Sequence, residues 1–210
     1  NLIVNILKLY NMKQLSKYKL NKISKNLDYF FNQATDQEIK QGLAWYKNAH
    51  DFVIDTSDKY NLQAYKVASV VSALSPRNKW KQNLIDADKV CDAFDLGFHP
   101  SEIKVCTFHT NKFKAFNILN SNTHITDKSL KTFNFVNNIA YLDQNCLTVD
   151  IWHLRACFNK VIKIDSASIG RVAYEQIKNL TIKKAIKLGL KGYELQAIIW
   201  ITAQRLINNK

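Results

Sequence analysis

Asp150 is the residue of this 210-residue chain whose type and surroundings are best suited to catalysis. The short apolar run 147–149 leads into it, and an apolar helical pattern begins at Ile151. A carboxylate at such a boundary lies at a helix N-terminus, where unpaired backbone N–H groups and the helix dipole keep it ionised. An Asp in front of an apolar helix is also typical of an N-cap without chemistry, and both interpretations stay open here.

Lys131, nineteen residues upstream of Asp150, is the second candidate for chemistry. A neutral lysine amine can attack an anomeric carbon and form a Schiff base if burial or neighbouring cations lower its pKa. A fixed carboxylate stabilises the positive charge that develops on a sugar ring when an N-glycosidic bond breaks. The pair therefore predicts glycosidic chemistry on a nucleic acid, and the alternative for Lys131 is a solvated lysine on a basic helix.

Trp80 is the first candidate for contact with a nucleic-acid base. Its neighbours Arg77, Asn78, Lys79 and Lys81 form a basic and polar collar around an aromatic ring. Aromatic faces stack on unpaired bases, and lysine and arginine bind the phosphates beside them. Core packing is the equally favoured alternative for this tryptophan.

Trp152 and Tyr141 are further candidates for stacking on an extruded base, with core packing the favoured interpretation of Trp152. Arg155 follows Asp150 by five residues and is expected to anchor its helix through a carboxylate or a carbonyl group, or else to contact a phosphate. His153 is placed to relay a proton near Asp150, although a single helical histidine is more often partly buried.

The charge balance favours a polyanionic partner. The chain carries 30 Lys and Arg against 17 Asp and Glu, a net charge of +13, with a pI near 9.5. Such a field attracts nucleic acid, and DNA is the partner that we expect. The basic residues are almost all lysine, so an AT-rich coding sequence offers a second explanation of the same charge.

Other features of the composition exclude several classes of protein. The four cysteines have no CxxC pair and no zinc-site spacing, which predicts free thiols, no metal and no cofactor: Cys91, Cys106, Cys146 and Cys157. Only five glycines are present, which argues against a phosphate-binding loop. Without a transmembrane run or signal-peptide cleavage site, we expect no membrane contact and a cytoplasmic location, in a host cytoplasm if the protein is viral.

Helical periodicity predicts an all-α fold with two lobes. We expect a basic amphipathic helix in residues 1–26, a helical lobe in 27–125, and hairpin-like helices with the Asp150 segment and C-terminal helices in 126–210, together one compact unit with a cleft. The predicted helices cover about 36–59, 63–74, 78–94, 112–119, a segment capped by Thr126 or Asp127, 168–188 and 193–206. The β-branched segment 63–74 is assigned to a buried helix, because no second strand is available to pair with it.

Four segments resemble, in the same order, motifs of the helix-hairpin-helix superfamily of DNA glycosylases typified by endonuclease III. They are the buried run 67–75, the Lys-Ala-x-x-Ile-like helix 110–118, Leu130-Lys131-Thr132 in place of the hairpin Lys-Thr, and Val149-Asp150 followed by Arg155 and Cys157. The wider pattern 73–76, Trp80, Asn83, Gln196, Ala197 and Trp200 resembles an uncharacterised phage-associated family of the same fold.

The resemblance implies a two-lobed helical glycosylase fold without an iron–sulfur cluster loop. It implies Asp150 as general base and Lys131 as possible Schiff-base nucleophile, and it places Leu74 where that family has a glutamine that fills the gap left by an extruded base. The family's hairpin glycines, which let backbone amides approach a phosphate, are absent from residues 127–131.

Three functional hypotheses follow. The leading one is an enzyme that acts on a DNA base, most simply an N-glycosylase, with or without lyase activity. The second is a viral enzyme that modifies hypermodified thymine bases on the same fold. The third is a non-catalytic DNA-binding or partner-binding module, which the missing hairpin glycines favour.

Overall fold

The computed structural model describes residues 14–121, 125–163 and 169–208, and the regular structure of these residues is entirely helical. This confirms the predicted all-α class. The helices are α1 (Lys17–Asn32), α2 (Asp36–Lys59), α3 (Ala64–Leu74), α4 (Trp80–Asp95), a 3₁₀ turn (Pro100–Glu102), α5 (His109–Asn120), α6 (Leu130–Tyr141), α7 (Ile151–Phe158), α8 (Arg171–Lys187) and α9 (Gly192–Asn208).

The described residues form two compact units. Unit 1 comprises the described parts of residues 1–46 and 144–210, and unit 2 comprises those of residues 47–143. Helix α2 contributes residues to both units. The predicted boundaries after residues 26 and 125 do not coincide with this division.

Unit 1 is built around α1, which packs against α7, α8 and α9. Its buried face consists of Ile23, Leu27 and Phe30, which recur at the three- and four-residue spacing of an amphipathic helix. Helix α1 ends at Asn32, beyond the boundary predicted for the N-terminal helix, and residues 1–13 of that predicted 1–26 helix lie outside the described residues.

Unit 2 is built around α3, which packs against α4, α5 and α6. Every residue of 67–74 is buried, so this helix is covered on all sides and needs no polar face. The assignment of the β-branched segment to a helix is therefore confirmed. The helix ends where Ser75 donates its hydroxyl to the carbonyl of Ser72, 2.9 Å away, directly before a proline.

The predicted cap of α6 is wrong by two or three residues. The N-cap is Ser129 rather than Thr126 or Asp127, because the backbone N–H of Ser129 first closes a turn on the Thr126 carbonyl at 3.2 Å. The long helix that begins at Asp36 and ends at Lys59 is confirmed. Among the described residues, no helix is both long and apolar enough to cross a bilayer.

Gly42 allows α2 to approach α9 closely within unit 1. A Cβ atom added at this position would lie 2.7 Å from the backbone nitrogen of Ile198. A backbone atom within a helix cannot rotate out of the way as a flexible side chain can. We expect Gly42→Ala to lower the free energy of unfolding by about 1–3 kcal/mol through overpacking. Urea unfolding measures the change.

Gln41→Ala is the matched control, because Gln41 is exposed on the same helix and Ala is a strong helix former. A Gly42→Ala variant as stable as Gln41→Ala would contradict this close approach of the two helices.

Candidate functional site

Asp150 is the N-cap of α7. Its Oδ1 atom accepts a hydrogen bond from the backbone N–H of His153 at 2.8 Å, and the residue is half-buried. Asp150 is therefore a helix cap, which is compatible with either interpretation of its role. A cap held in this way keeps the carboxylate at the positive end of the helix dipole, where its ionised form is favoured.

The segment in front of Asp150 is held in place by one side chain of α8. The hydroxyl of Tyr174 donates to the carbonyl of Leu147 at 3.0 Å and accepts from the N–H of Val149 at 3.1 Å. Leu147 and Val149 are both buried, so their backbone groups need partners within the protein. The apolar run leading to Asp150 is thereby fixed without being a strand.

Two buried phenols experience the charge of Asp150. Burial raises the pKa of Tyr46, a hydrogen bond with Thr148 opposes that shift, and the negative charge of Asp150 adds to it. Burial also raises the pKa of Tyr174, and the Asp150 charge contributes in the same direction. The Tyr46 hydroxyl donates to Oε1 of Gln196 at 3.0 Å. The Asp150 carboxylate thus acts on two buried tyrosines of unit 1, whose phenol groups stay protonated at neutral pH.

His153 is fully buried rather than partly exposed. Its Nε2 lies 3.0 Å from the Thr181 hydroxyl oxygen, and that hydroxyl donates to the carbonyl of Ile177 at 3.0 Å. The Thr181 oxygen therefore accepts from Nε2–H, which leaves Nδ1 as a buried lone pair without a partner among the described residues. Burial lowers the pKa of His153 to about 4, so the ring is neutral at pH 7.

Arg155 fixes the opposite end of α7. Its Nε and one Nη atom donate to the carbonyl of Ile162 at 3.1 and 2.8 Å, and its guanidinium carbon lies 4.2 Å from the centroid of the Trp152 ring system. Arg155 thus bonds to a carbonyl group, one of the two kinds of anchoring partner expected for it, and its expected contact with a phosphate stays a prediction. Trp152 is half-buried beneath this cation.

Trp80 and its collar lie at the start of α4 in unit 2. Trp80 is half-buried and packs edge-to-face on Phe135 at 6.4 Å between ring centroids. Lys79 and Lys81 are exposed on either side of it. Arg77 is exposed, has a left-handed backbone with φ of +58°, and lies with its guanidinium carbon 5.8 Å from the centroid of the Phe108 ring.

Asp86 is the residue that organises this part of unit 2, and sequence reasoning missed it. It is 2% exposed, and its carboxylate accepts from the Asn78 amide at 2.9 Å, the Gln82 amide at 3.0 Å and the backbone N–H of Cys106 at 2.9 Å. The signal in the sequence was a charged residue on the face of α4 that also carries Ala87 and Val90.

The remaining predicted residues have varied surroundings. Leu74 has no exposed surface and is a core residue, so the side chain that the resemblance placed in the gap of an extruded base does not project from its helix. Tyr141 is 58% exposed and stacks on Tyr65, with ring centroids 6.1 Å apart. Lys131 is exposed in the first turn of α6. It belongs to unit 2, whereas Asp150 belongs to unit 1.

The positive charge of the chain is concentrated in one unit. Residues 1–46 and 144–210 contain 18 Lys or Arg and 7 Asp or Glu, a net charge of +11, whereas residues 47–143 contain 12 and 10, a net charge of +2. Four exposed lysines lie on α1 alone: Lys17, Lys19, Lys22 and Lys25. Asp150 therefore lies in the unit that attracts polyanions most strongly.

Comparison with known proteins gives a family for this sequence. The model of DUF7178, described as a family of unknown function, matches residues 10–207. The chain belongs to this family. The DUF7178 match includes the Asp150 segment and the collar around Trp80. No curated protein and no solved structure matched the chain. Among the described residues, no three His, Cys, Asp or Glu side chains cluster as metal ligands do.

The buried neutral histidine makes stability depend on pH. The folded pKa of His153 is about 4 and its ordinary value is 6.5, so the unfolded chain binds more protons between these values and stability falls as pH is lowered through this window. We expect a loss of about 2 kcal/mol between pH 7 and 5, since each pKa unit corresponds to about 1.4 kcal/mol. Urea unfolding at each pH measures it.

His153→Gln keeps an amide donor for Thr181 and does not titrate, so its stability should change much less across this range. His109→Gln, at an exposed histidine of α5, should retain the wild-type dependence. Equal pH dependence in wild type and His153→Gln would contradict the buried neutral ring.

Substitution of Arg77 tests its left-handed backbone conformation. A left-handed backbone costs a non-glycine residue roughly 1–2 kcal/mol, and the extra chain entropy of glycine offsets about 0.5–1 kcal/mol of the relief. We expect Arg77→Gly to match or exceed wild type in urea unfolding, and Arg77→Ala to be less stable than Arg77→Gly. The reverse order would contradict the left-handed conformation.

Proposed function

We propose that this chain binds DNA through the basic surface of unit 1 and hydrolyses the N-glycosidic bond of a base, normal or modified, with Asp150. The observation that carries the proposal is the half-buried carboxylate at the N-terminus of α7, in the unit formed from residues 1–46 and 144–210, two ranges of sequence whose net charge is +11. The fold proposed for this activity is of the helix-hairpin-helix glycosylase type, with α5 and α6 as the counterparts of the hairpin helices.

The chemistry requires a fixed negative charge beside the sugar. As the base departs with the electron pair of the glycosidic bond, C1′ acquires positive charge that a nearby carboxylate stabilises. A water molecule then adds to C1′, and Asp150 accepts its proton as general base. The hydrogen bond from the His153 N–H and the Tyr174 bridge favour this role, because they hold the carboxylate without reorganisation.

Water is the nucleophile in this proposal rather than Lys131. Lys131 lies on the surface of unit 2, whereas Asp150 belongs to unit 1, and nucleophilic lysines are typically desolvated in an apolar pocket. Treatment with borohydride during turnover should therefore leave no covalent adduct between the protein and DNA. A trapped adduct that disappears in Lys131→Ala would assign the nucleophile to Lys131 instead.

Exposed lysines of α1 bind the phosphate groups of the DNA in this proposal. Lys17, Lys22 and Lys25 are exposed on one helix of the unit that contains Asp150. Each phosphate contact releases counterions, so affinity for DNA should fall steeply with salt. Binding that is unchanged between about 50 and 200 mM salt would contradict the nucleic-acid part of the proposal.

A non-catalytic DNA-binding module is the second candidate. It is favoured by Leu74, which is buried in the core rather than available to fill a gap in a duplex, and by the use of one Asp150 oxygen in the helix cap. This candidate predicts salt-sensitive binding and intact bases on every substrate.

Asp150→Asn distinguishes these candidates. Asn caps a helix about as well as Asp, so the fold should be retained with the free energy of unfolding within about 1 kcal/mol of wild type. Base release should fall about 10²- to 10⁴-fold through loss of the charge and the base, while DNA affinity stays near wild type. Single-turnover reactions on oligonucleotides that carry normal and modified bases, read by mass spectrometry, measure the release.

Asp36→Asn is the matched control, since Asp36 is an exposed acid in the first turn of a helix and lies in the same unit. It should leave base release unchanged. Intact bases with wild-type protein on the whole panel would contradict the enzymatic proposal, as would full activity in Asp150→Asn.

A further inference from the structure

Phe108 and Arg77 form an exposed aromatic and cationic pair in unit 2. Phe108 is 53% exposed at the N-cap of α5, and the guanidinium carbon of Arg77 lies 5.8 Å from its ring centroid. The two residues come from separate connecting segments, 75–79 and 103–108. Their contact therefore joins two loops of the same unit at its surface.

Buried side chains hold both loops in place. Asp86 accepts from the Asn78 amide in the first loop and from the Cys106 backbone in the second, both at 2.9 Å. Lys112 is 3% exposed and donates from Nζ to the carbonyl of Ile103 at 2.6 Å, which fixes the start of the second loop. The exposed ring of Phe108 is thus pre-organised, and little conformational entropy is lost when a ligand stacks on it.

The charges around this ring select a negatively charged ligand. Lys79 and Lys81 are exposed beyond Arg77, and Lys104 is exposed in the same loop as Phe108. Asp86, whose carboxylate contacts both loops, is buried and accepts from three donors. The exposed Glu102, directly before the second loop, caps the 3₁₀ turn by accepting from the backbone N–H of His99 at 2.6 Å. A flat ring with cations beside it matches a nucleobase with its phosphates.

We propose that these two loops bind single-stranded nucleic acid, with one base stacked on Phe108 and its phosphates on Arg77, Lys79 and Lys81. The proposal rests on the nucleic-acid binding proposed above and names the form of the ligand. A base within a duplex has both faces covered by its neighbours, whereas an unpaired base has a free face for an aromatic side chain. The loops therefore discriminate in favour of a single strand.

Fluorescence anisotropy of the full chain with a labelled twelve-nucleotide thymidine strand, and with a duplex of the same length, tests this site. Phe108→Leu should weaken binding to the strand about 5- to 150-fold, since a stacked base contributes roughly 1–3 kcal/mol, and should leave the salt dependence unchanged. Arg77→Gly should lower the slope of log affinity against log salt by about 0.7, because one phosphate contact is lost. Phe108→Trp should bind as well as wild type.

Phe98→Leu is the matched control, because it removes an equally exposed ring from another turn of unit 2 and should change affinity by less than about two-fold. Wild-type strand affinity in Phe108→Leu, an equal loss in Phe98→Leu, or preference for the duplex would overturn this site while leaving DNA binding by unit 1 intact. A wild-type chain that binds neither oligonucleotide would overturn the nucleic-acid proposal as well.

Discussion

The hydrogen bonds that buried side chains make to non-helical backbone are the interactions on which the two candidate sites depend. A connecting segment in an all-helical protein has no neighbouring strand to pair with, yet its buried N–H and C=O groups need partners. Tyr174 supplies both partners for the segment before Asp150. Two residues further along α8, Gln176 pairs with both the N–H and the C=O of Leu15 in the same manner. One helix thus fixes two irregular segments of unit 1.

Unit 2 uses charged side chains for the same purpose. The buried carboxylate of Asp86 and the buried ammonium of Lys112 hold the two loops that carry Arg77 and Phe108. Buried ionised groups are costly unless their hydrogen-bonding capacity is satisfied, so each also restricts the loop conformations that are compatible with folding. Asp150 in unit 1 and the loops that carry Arg77 and Phe108 in unit 2 thus owe their positions to buried polar side chains.

The helices, the helix cap at Asp150 and the anchoring role of Arg155 could be predicted from local sequence. Capping and periodicity are properties of neighbouring residues, which is why Asp150 as a cap, the helix from Asp36 to Lys59 and the buried α3 were all found. The anchoring of Arg155 was predicted as well, because its carbonyl partner lies only seven residues away.

The residues that sequence reasoning missed depend on partners distant in the chain. Tyr174 bonds to backbone groups 25 and 27 residues away, and Asp86 reaches Cys106 across 20 residues. Phe108 looked like any apolar side chain until its exposure was known. Leu74 shows the opposite failure, since a position taken from a resemblance carries no information about whether its side chain reaches the surface.

Asp150, which follows the segment held by Tyr174, and the two loops held by Asp86 are the parts of the chain proposed to face nucleic acid. Photocrosslinking of the full chain to a single-stranded oligonucleotide that contains 5-iodouracil, followed by mass spectrometry of the peptides, tests this central claim most directly. The account predicts salt-sensitive crosslinks in the peptides that contain Phe108 and Trp152. Crosslinks confined to other segments, or an absence of crosslinks at low salt, would contradict it.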